Sequence, residues 1–483
     1  MYGGPIVAST SLPTDALHID RAERAAQTGP TVTSLEHPMP AAADVRVALT
    51  GARGGFGRTF LAQVRAVPRL VASQLIDPDT VGVRTMLDEL GFGPEGSEGV
   101  PTLVASAADI DWDSIDVLVE ATGRIDAGYD YAATALAHGV HVVMVSKEVE
   151  SLAGVSLAAD ARAAGVFYLP GDGDQPANLV RLLAWVERTG LEVVALGKSG
   201  EYDLVFDPEA ETVTQLDQTI LAPGLGDLLT LGDDVPATLA ARAAAVAGLK
   251  RAAAADSCEM AVVSLHTGAL SDVERMHYPV ARPDELADIY AAVAEGGIRE
   301  RDRVVDVFSA LRLPGEASFA GGVFAVVRTN DSETWEMLRG KGHVVSRSGD
   351  YATIYWPYHF MGVETVLTVL DAFDGVAPTA PVAARIPQQH TVLAARAARD
   401  LPAGTRFRVE GHHHEIAGVA PVIVDRAVAA APDAPGEVAI SAYYLLSGAV
   451  LTRDVVEGEL IALADLDEVP AQALAAFRAG FAL

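Results

Sequence analysis

The residues with the clearest chemical meaning are the glycines of Thr50-Gly51-Ala52-Arg53-Gly54-Gly55-Phe56-Gly57-Arg58. Glycines at 51, 54 and 57 permit a tight turn, let a backbone approach a pyrophosphate, and allow a helix to pack closely on a sheet. Phosphates at such a loop meet unpaired N–H groups and the positive end of a helix dipole. The spacing is G-x-x-G-x-x-G rather than G-x-G-x-x-G, so its meaning rests on its flanks: an apolar run before it and an amphipathic stretch after it. Asp77 follows the next apolar run, where a carboxylate would bond the ribose hydroxyls of NAD. That favours NAD over NADP, while Arg53 or Arg58 would meet a 2′-phosphate, and Asp77-Pro78 also reads as a plain turn. The run ending in Ala121, Thr122 and Gly123 leaves room for a nicotinamide ring beside small side chains.

Reduction of a carbonyl needs a hydride on one face and a proton, or a strong hydrogen bond, at the oxygen. Lys147 stands directly after an apolar run, at the carboxyl edge where open α/β sheets bind ligands. Lys198 ends another such run, and reads equally as a solvated loop lysine. Asp172 and Asp174 flank Gly173 beside Gln175; both carboxylates converging on one site would orient Lys198, bond substrate hydroxyls or hold a divalent cation. Asp174 also reads as a helix cap before Pro176. His359, next to Tyr358 in an aromatic stretch, is a substrate contact or a satisfied core histidine. The run His412-His413-His414-Glu415 suggests zinc, but in an extended strand His412 and His414 face one way and His413 the other, so no metal site is assigned.

The elements that would position these residues alternate: short apolar runs at Val45–Thr50, Val71–Ile76, Val117–Ala121 and His141–Ser146 are separated by amphipathic stretches. This is the pattern of a parallel sheet with crossover helices. Tyr129 to His138 reads as a helix stopped by Gly139, and Pro176 opens a second helix running to Arg188 before Gly190 and a strand from Leu191 to Leu196. The Ala-rich middle, from Asp203 to Gly315, reads as mostly helical. Near the carboxyl end Arg399-Asp400-Leu401-Pro402-Ala403-Gly404 is echoed 54 residues later by Arg453-Asp454-Val455-Val456-Glu457-Gly458, which suggests two similar turns in one small β unit.

The resulting division is a flexible arm over 1–43, a dinucleotide-binding unit over 44–170, a second unit over 171–375 that includes any elements returning to the first sheet, a Pro- and Ala-rich linker over 376–385, and a β unit over 386–470. A formal net charge of −30 repels polyanions, so nucleic acid and anionic membrane surfaces are not expected partners. The longest apolar runs are too short and too interrupted for a membrane span, and the first forty residues lack the basic start and apolar core of a secretory signal. The single cysteine, Cys258, suits a reducing cytoplasm and a packing role.

Val117–Gly123, Gly173-Asp174-Gln175-Pro176-Ala177, Glu192–Lys198, Tyr355-Trp356-Pro357-Tyr358-His359-Phe360-Met361-Gly362-Val363-Glu364 and the two Arg-Asp turns together resemble the homoserine-dehydrogenase-like oxidoreductases with a C-terminal SAF domain. That family includes 1-deoxyxylulose-5-phosphate reductoisomerase-like enzymes. The resemblance implies an α/β fold: a doubly wound Rossmann sheet, an α+β catalytic and oligomerisation domain, and a small SAF-like β domain. It implies hydride transfer between NAD or NADP and a small polar hydroxy or keto compound, with a sugar phosphate and coupled rearrangement as one form, a divalent cation as an accompanying cofactor, and a homo-oligomer. A homoserine-type dehydrogenase is the plainer alternative; a nucleotide-sensing protein without catalysis is another. The chain departs from the family after Gly197-Lys198, where it reads Ser199-Gly200-Glu201-Tyr202-Asp203. It departs again at Lys250–Met260, where an Ala-rich segment keeps Glu259-Met260.

Overall fold

The computed structural model describes residues 43–375, 386–411 and 413–483; the expected arm up to residue 42, the linker at 376–385 and His412 lie outside the described residues. Six parallel strands form the first sheet: β1 (Val45–Thr50), β2 (Leu70–Ile76), β3 (Thr102–Val104), β4 (Val117–Glu120), β5 (His141–Met144) and β6 (Tyr168–Pro170), in the order β3-β2-β1-β4-β5-β6. Helices α1 (Gly55–Val64), α2 (Thr80–Glu89), α3 (Ile125–Ala137) and α4 (Lys147–Ala164) connect them. Strand order reverses next to β1, so the carboxyl ends of β1 and β4 open a crevice, the usual ligand position in a doubly wound sheet. The strands read as short apolar runs because both faces are covered: every residue of β4 is buried.

Helix α5 (Gln175–Arg188), capped by Asp174 with Pro176 in its first turn, leads into β7 (Glu192–Ser199) of a second, mixed sheet. Strands β8 (Leu204–Asp207), β9 (Thr212–Gln215) and β10 (Gln218–Leu221) form one wing of it. Helices α6 (Val235–Ala245), α7 (Ala254–Thr267) and the one-turn α8 (Leu286–Ile289) alternate with the short β11 (Leu270–Ser271) and β12 (Val280–Ala281) and the long β13 (Val304–Arg312). Beyond β13 come β14 (Val323–Arg328), α9 (Ser332–Arg339), β15 (Val344–Val345), β16 (Tyr351–Trp356) and α10 (Thr365–Asp374). The Ala-rich middle is therefore not mostly helical. Its central element is β13, parallel to β7 and buried along eight of its nine residues. Alanine suits a helix, and the polar residues of β13, Asp306, Ser309 and Arg312, recur at every third position, closer to a helical period than to the alternation of a half-buried strand. Helix α10 returns to the first sheet, packing Val366, Val369 and Ala372 on the core of β1 and β4.

The carboxyl-terminal part contains β17 (Thr391–Ala397), paired antiparallel with β20 (Val419–Asp425), the short hairpin of β18 (Val409–Glu410) and β19 (Glu415–Ile416), the turn α11 (Arg426–Ala429) and the final helix α12 (Ala471–Ala482). The echoed Arg-Asp phrases are related by a local two-fold. Leu401 and Val455 exchange backbone hydrogen bonds, Asp454 Oδ1 accepts from Ala403 N at 2.8 Å, and Asp400 Oδ1 accepts from Glu457 N at 2.9 Å. Each phrase thus caps the turn of the other. No helix among the described residues is long and apolar enough to cross a membrane.

Candidate active site

The glycine loop follows β1 and opens α1. Gly51, at φ +64, lies so close to β4 that a Cβ would sit 2.4 Å from Ala121 O, and a Cβ on Gly57 would sit 2.3 Å from Ala52 O. These two glycines hold the turn and the helix against the sheet. Gly55, in contrast, faces open space, and α1 begins without a side-chain cap. Its first-turn N–H groups therefore have no partner within the helix and suit an anion. Asp77 accepts from the backbone N–H of Arg53 at 3.0 Å and of Asp79 at 2.9 Å, one bond per oxygen, so a second lone pair on each oxygen can still accept a ribose hydroxyl. Arg53 reaches Asp79 at 3.7 Å, and Arg58 pairs with Glu89 at 2.6 Å. Phe56, Ala121 and Gly123 line a cavity of about 350 Å³ beyond the loop. Thr122 instead turns inward, its hydroxyl donating to Glu120 at 2.6 Å. The residues present fit a dinucleotide along the edge from Asp77 to Ala121.

That cavity also contains Lys147, Asp174, Gln175, Lys198 and His359. Lys147 is the first residue of α4, a helix hidden in the sequence because its residues 148–157 are buried on every side. The ammoniums of Lys147 and Lys198 both bond to Glu259, one to each carboxylate oxygen. Lys198 is also 2.7 Å from Asp256, and Lys147 is 3.9 Å from Asp174. Asp256 and Glu259 lie one turn apart on α7, so the Ala-rich departure keeps two acidic residues, not Glu259 alone. Neither is foreseen as a site residue. Two carboxylates three apart, on one face of a helix whose other residues are mostly small or apolar, were the signal that would have found them.

Burial opposes charge on Lys147, Lys198, Glu259 and Asp174, and on the first three proximity wins. Burial alone would raise Glu259, but the two ammoniums hold it down at about 2. Lys147 and Lys198 are disfavoured as cations by burial and are nevertheless held above the ordinary lysine range, Lys147 by Asp174 and Glu259, Lys198 by Asp256 and Glu259. Asp174 goes the other way: burial pushes it up, against the pull of Lys147. His359 shares its Nδ1 hydrogen with Gly321 O at 3.0 Å; glycine is needed there because a Cβ would meet the ring at 2.5 Å.

Asp172 and Asp174 do not converge. Asp172 turns away from the cavity, accepts from Arg181 Nε at 2.9 Å and from the Thr368 hydroxyl at 2.6 Å, and shares Arg181 with Asp371. It ties α5 to α10. His413 and His414 likewise do not lie in an extended strand: His414 is at φ +53 in the tight turn between β18 and β19, with its Nδ1 2.5 Å from Glu148, while His413 is 3.2 Å from Glu201. Both line the cavity. No group of three or more His, Cys, Asp or Glu among the described residues is arranged to hold a metal ion.

Residues 246–365 match the family described as the catalytic domain of oxidoreductase DRL, a segment that carries Asp256, Glu259 and His359. No curated protein matches the chain. Among solved structures it is similar to a DOX-P reductoisomerase in complex with magnesium, at 18% identity and a TM-score of 0.26 over 33% of this chain and 46% of that one. It is also similar to a 3-ketoreductase from Actinomadura kijaniata in complex with NADP, at 15% identity and a TM-score of 0.25 over 35% and 51% of the two chains. A dipicolinate-bound dihydrodipicolinate reductase from Paenisporosarcina sp. TG-14 aligns over 71% of this chain and 97% of its own, at 14% identity and a TM-score of 0.33. The chain thus spans about half the length of the first two. Fold and site define an α/β chain with a Rossmann-like sheet and a segment similar to an oxidoreductase catalytic domain.

Proposed function

We propose that the protein is a nicotinamide-dependent oxidoreductase acting on a small polar hydroxy or keto compound. The observation that carries this reading is the single cavity in which Phe56 and Ala121, at the end of the glycine loop's crevice, meet Lys147, Asp174 and Lys198. The cofactor, when bound, supplies or accepts the hydride; the two carboxylates Asp77 and Asp79 beside one arginine favour NAD over the extra phosphate of NADP.

Lys147, the more accessible of the two lysines, is placed to donate a hydrogen bond to the substrate oxygen. Held protonated by its neighbours, it stabilises negative charge on that oxygen rather than giving its proton away. Asp174, raised by burial, is the group suited to exchange a proton with the substrate hydroxyl. Lys198, almost fully buried behind Glu259, fixes that carboxylate and through it the Lys147 ammonium. His359, with Nδ1 committed to Gly321, presents Nε2 as the ring atom for a substrate hydroxyl. A homo-oligomeric assembly belongs to this reading, and localisation in the cytoplasm accords with the single buried cysteine.

The test is a screen of polyols, hydroxy acids and sugar phosphates for absorbance change of the reduced nicotinamide, repeated with Lys147→Ala. Turnover about 100-fold lower in the variant, with unchanged cofactor binding, is the expected outcome. Equal turnover removes Lys147 from the chemistry. Cofactor binding without hydride transfer to any compound favours the alternative of a nucleotide-sensing protein.

A further inference from the structure

The cavity's charge inventory speaks to what the substrate carries. Glu148, Asp174, Glu201, Asp256 and Glu259 line it, against Lys147 and Lys198 and no arginine among the described residues. Both lysines are already engaged by carboxylates: Lys147 by Glu259 with Asp174 close by, Lys198 by Asp256 and Glu259. Lys198 could turn toward an anionic substrate only by stripping a partner from Asp256 or Glu259, both at most 5% exposed, and Lys147 has its remaining N–H capacity directed at the substrate oxygen that is reduced. Removing one member of such a buried group costs more than the new contact returns. His414 and His413 do not supply the missing cations, because they face Glu148 and Glu201. The neighbouring cavity, about 310 Å³ beyond the Glu148–His414 pair, contains Arg124, but Asp126 and Glu148 line it too. The chain as a whole adds a net charge of −30 to this local excess.

We infer that the cavity selects a substrate without an anionic group, and best of all one bearing an amine: an amino-polyol or amino-ketone rather than a sugar phosphate or hydroxy acid. The inference rests on the proposed oxidoreductase reading of the same cavity and names its substrate class. An ammonium on the substrate would meet Asp174, which lines the cavity and has the Lys147 ammonium 3.9 Å away, beyond hydrogen-bond distance. A phosphomonoester would enter a pocket lined by five carboxylates and two lysines, with both lysines and both rim histidines already facing carboxylates, which disfavours a further anion.

The experiment uses the full chain saturated with whichever nicotinamide cofactor gives heat in a calorimeter, then titrated with xylitol, 1-amino-1-deoxyxylitol, xylonate and xylitol 5-phosphate, each with and without Mg²⁺. The amine and the neutral polyol should bind at least tenfold more tightly than the two anions, with no effect of Mg²⁺. Asp174→Asn should narrow the preference for the amine over the neutral polyol by at least threefold. Tighter binding of either anion, anion binding that appears only with Mg²⁺, equal affinities or no binding of any of the four would overturn the inference. The cofactor heat, measured first on the same sample, separates the two claims. Its absence removes the oxidoreductase reading; its presence with the wrong order of affinities removes the substrate class alone.

Discussion

Helices α4 and α7 lie against each other and carry two ion clusters with different surroundings. At one end Lys147 on α4 and Glu259 on α7 open to the cavity, joined by Lys198 and Asp256. Further along the same helices, Glu150 and His266 meet at 2.7 Å with side chains 2% exposed, and the hydroxyl of Tyr168 closes the other oxygen of Glu150. Each cluster buries a glutamate among polar partners, and of the two the first lines a cavity. Buried charge by itself therefore marks no site. What distinguishes the first cluster is its position at the carboxyl ends of β5 and β7, facing the crevice of the glycine loop. The second fixes the spacing and rotation of the two helices that present Lys147 and Glu259.

The largest effect should come from Glu259→Gln, which removes the carboxylate shared by two ammoniums and leaves Lys198 with Asp256 and Lys147 with Asp174 at 3.9 Å. It should lower stability by about 3 to 5 kcal/mol, read by chemical denaturation, and abolish turnover. The sign of its pH dependence follows from the carboxyl being held at about 2, below its ordinary value: the stabilisation is complete above the ordinary glutamate range and is lost as pH falls toward 2. The variant should show a flatter acid limb than the native chain. His266→Leu comes next. It strands Glu150 in the core and should cost about 3 kcal/mol, while calorimetry finds cofactor affinity within threefold of native. A loss of affinity comparable to that of a cavity variant would erase the distinction between the two clusters.

The smallest effect belongs to the rim. His414 is held above the ordinary histidine range by its bond to Glu148, against the opposing effects of burial and of Lys147. Its contribution is present below the ordinary histidine pKa and is lost as pH rises through the raised value. Hydrogen exchange in the turn between β18 and β19 should accelerate selectively as the solution becomes alkaline, and His414→Ala should remove that pH dependence.

The first sheet was legible because parallel strands covered on both faces read as bounded apolar runs; β1 is found with the ends the sequence suggests, and β2, β4 and β5 within one or two residues. The glycine loop, Asp77, Lys147, Asp174 and Lys198 were visible as chemistry-bearing residues at strand ends. Asp256 and Glu259 were not, since the lysines that Glu259 binds lie 61 and 112 residues away along the chain and the crossing of α4, α7 and β7 brings them together. Asp172 looked equivalent to Asp174 because the intervening Gly173, at φ +88, reverses the chain and sends the two carboxylates apart, a turn that spacing alone does not reveal. Helix α4 was obscured because residues 148–157, charged ones among them, are buried on every side and leave no polar face, and β13 because its polar residues fall at every third position.

The account depends most on a dinucleotide lying at the start of α1 and ending in the lysine-bearing cavity. Gly55 gives a direct test, because open space surrounds it and a side chain there should not disturb the fold. Calorimetry with NAD, NADH, NADP and NADPH should give heat with at least one of them for the native chain, and none for Gly55→Glu at an unchanged melting temperature. No heat from the native chain, or equal binding by the variant, would contradict the account.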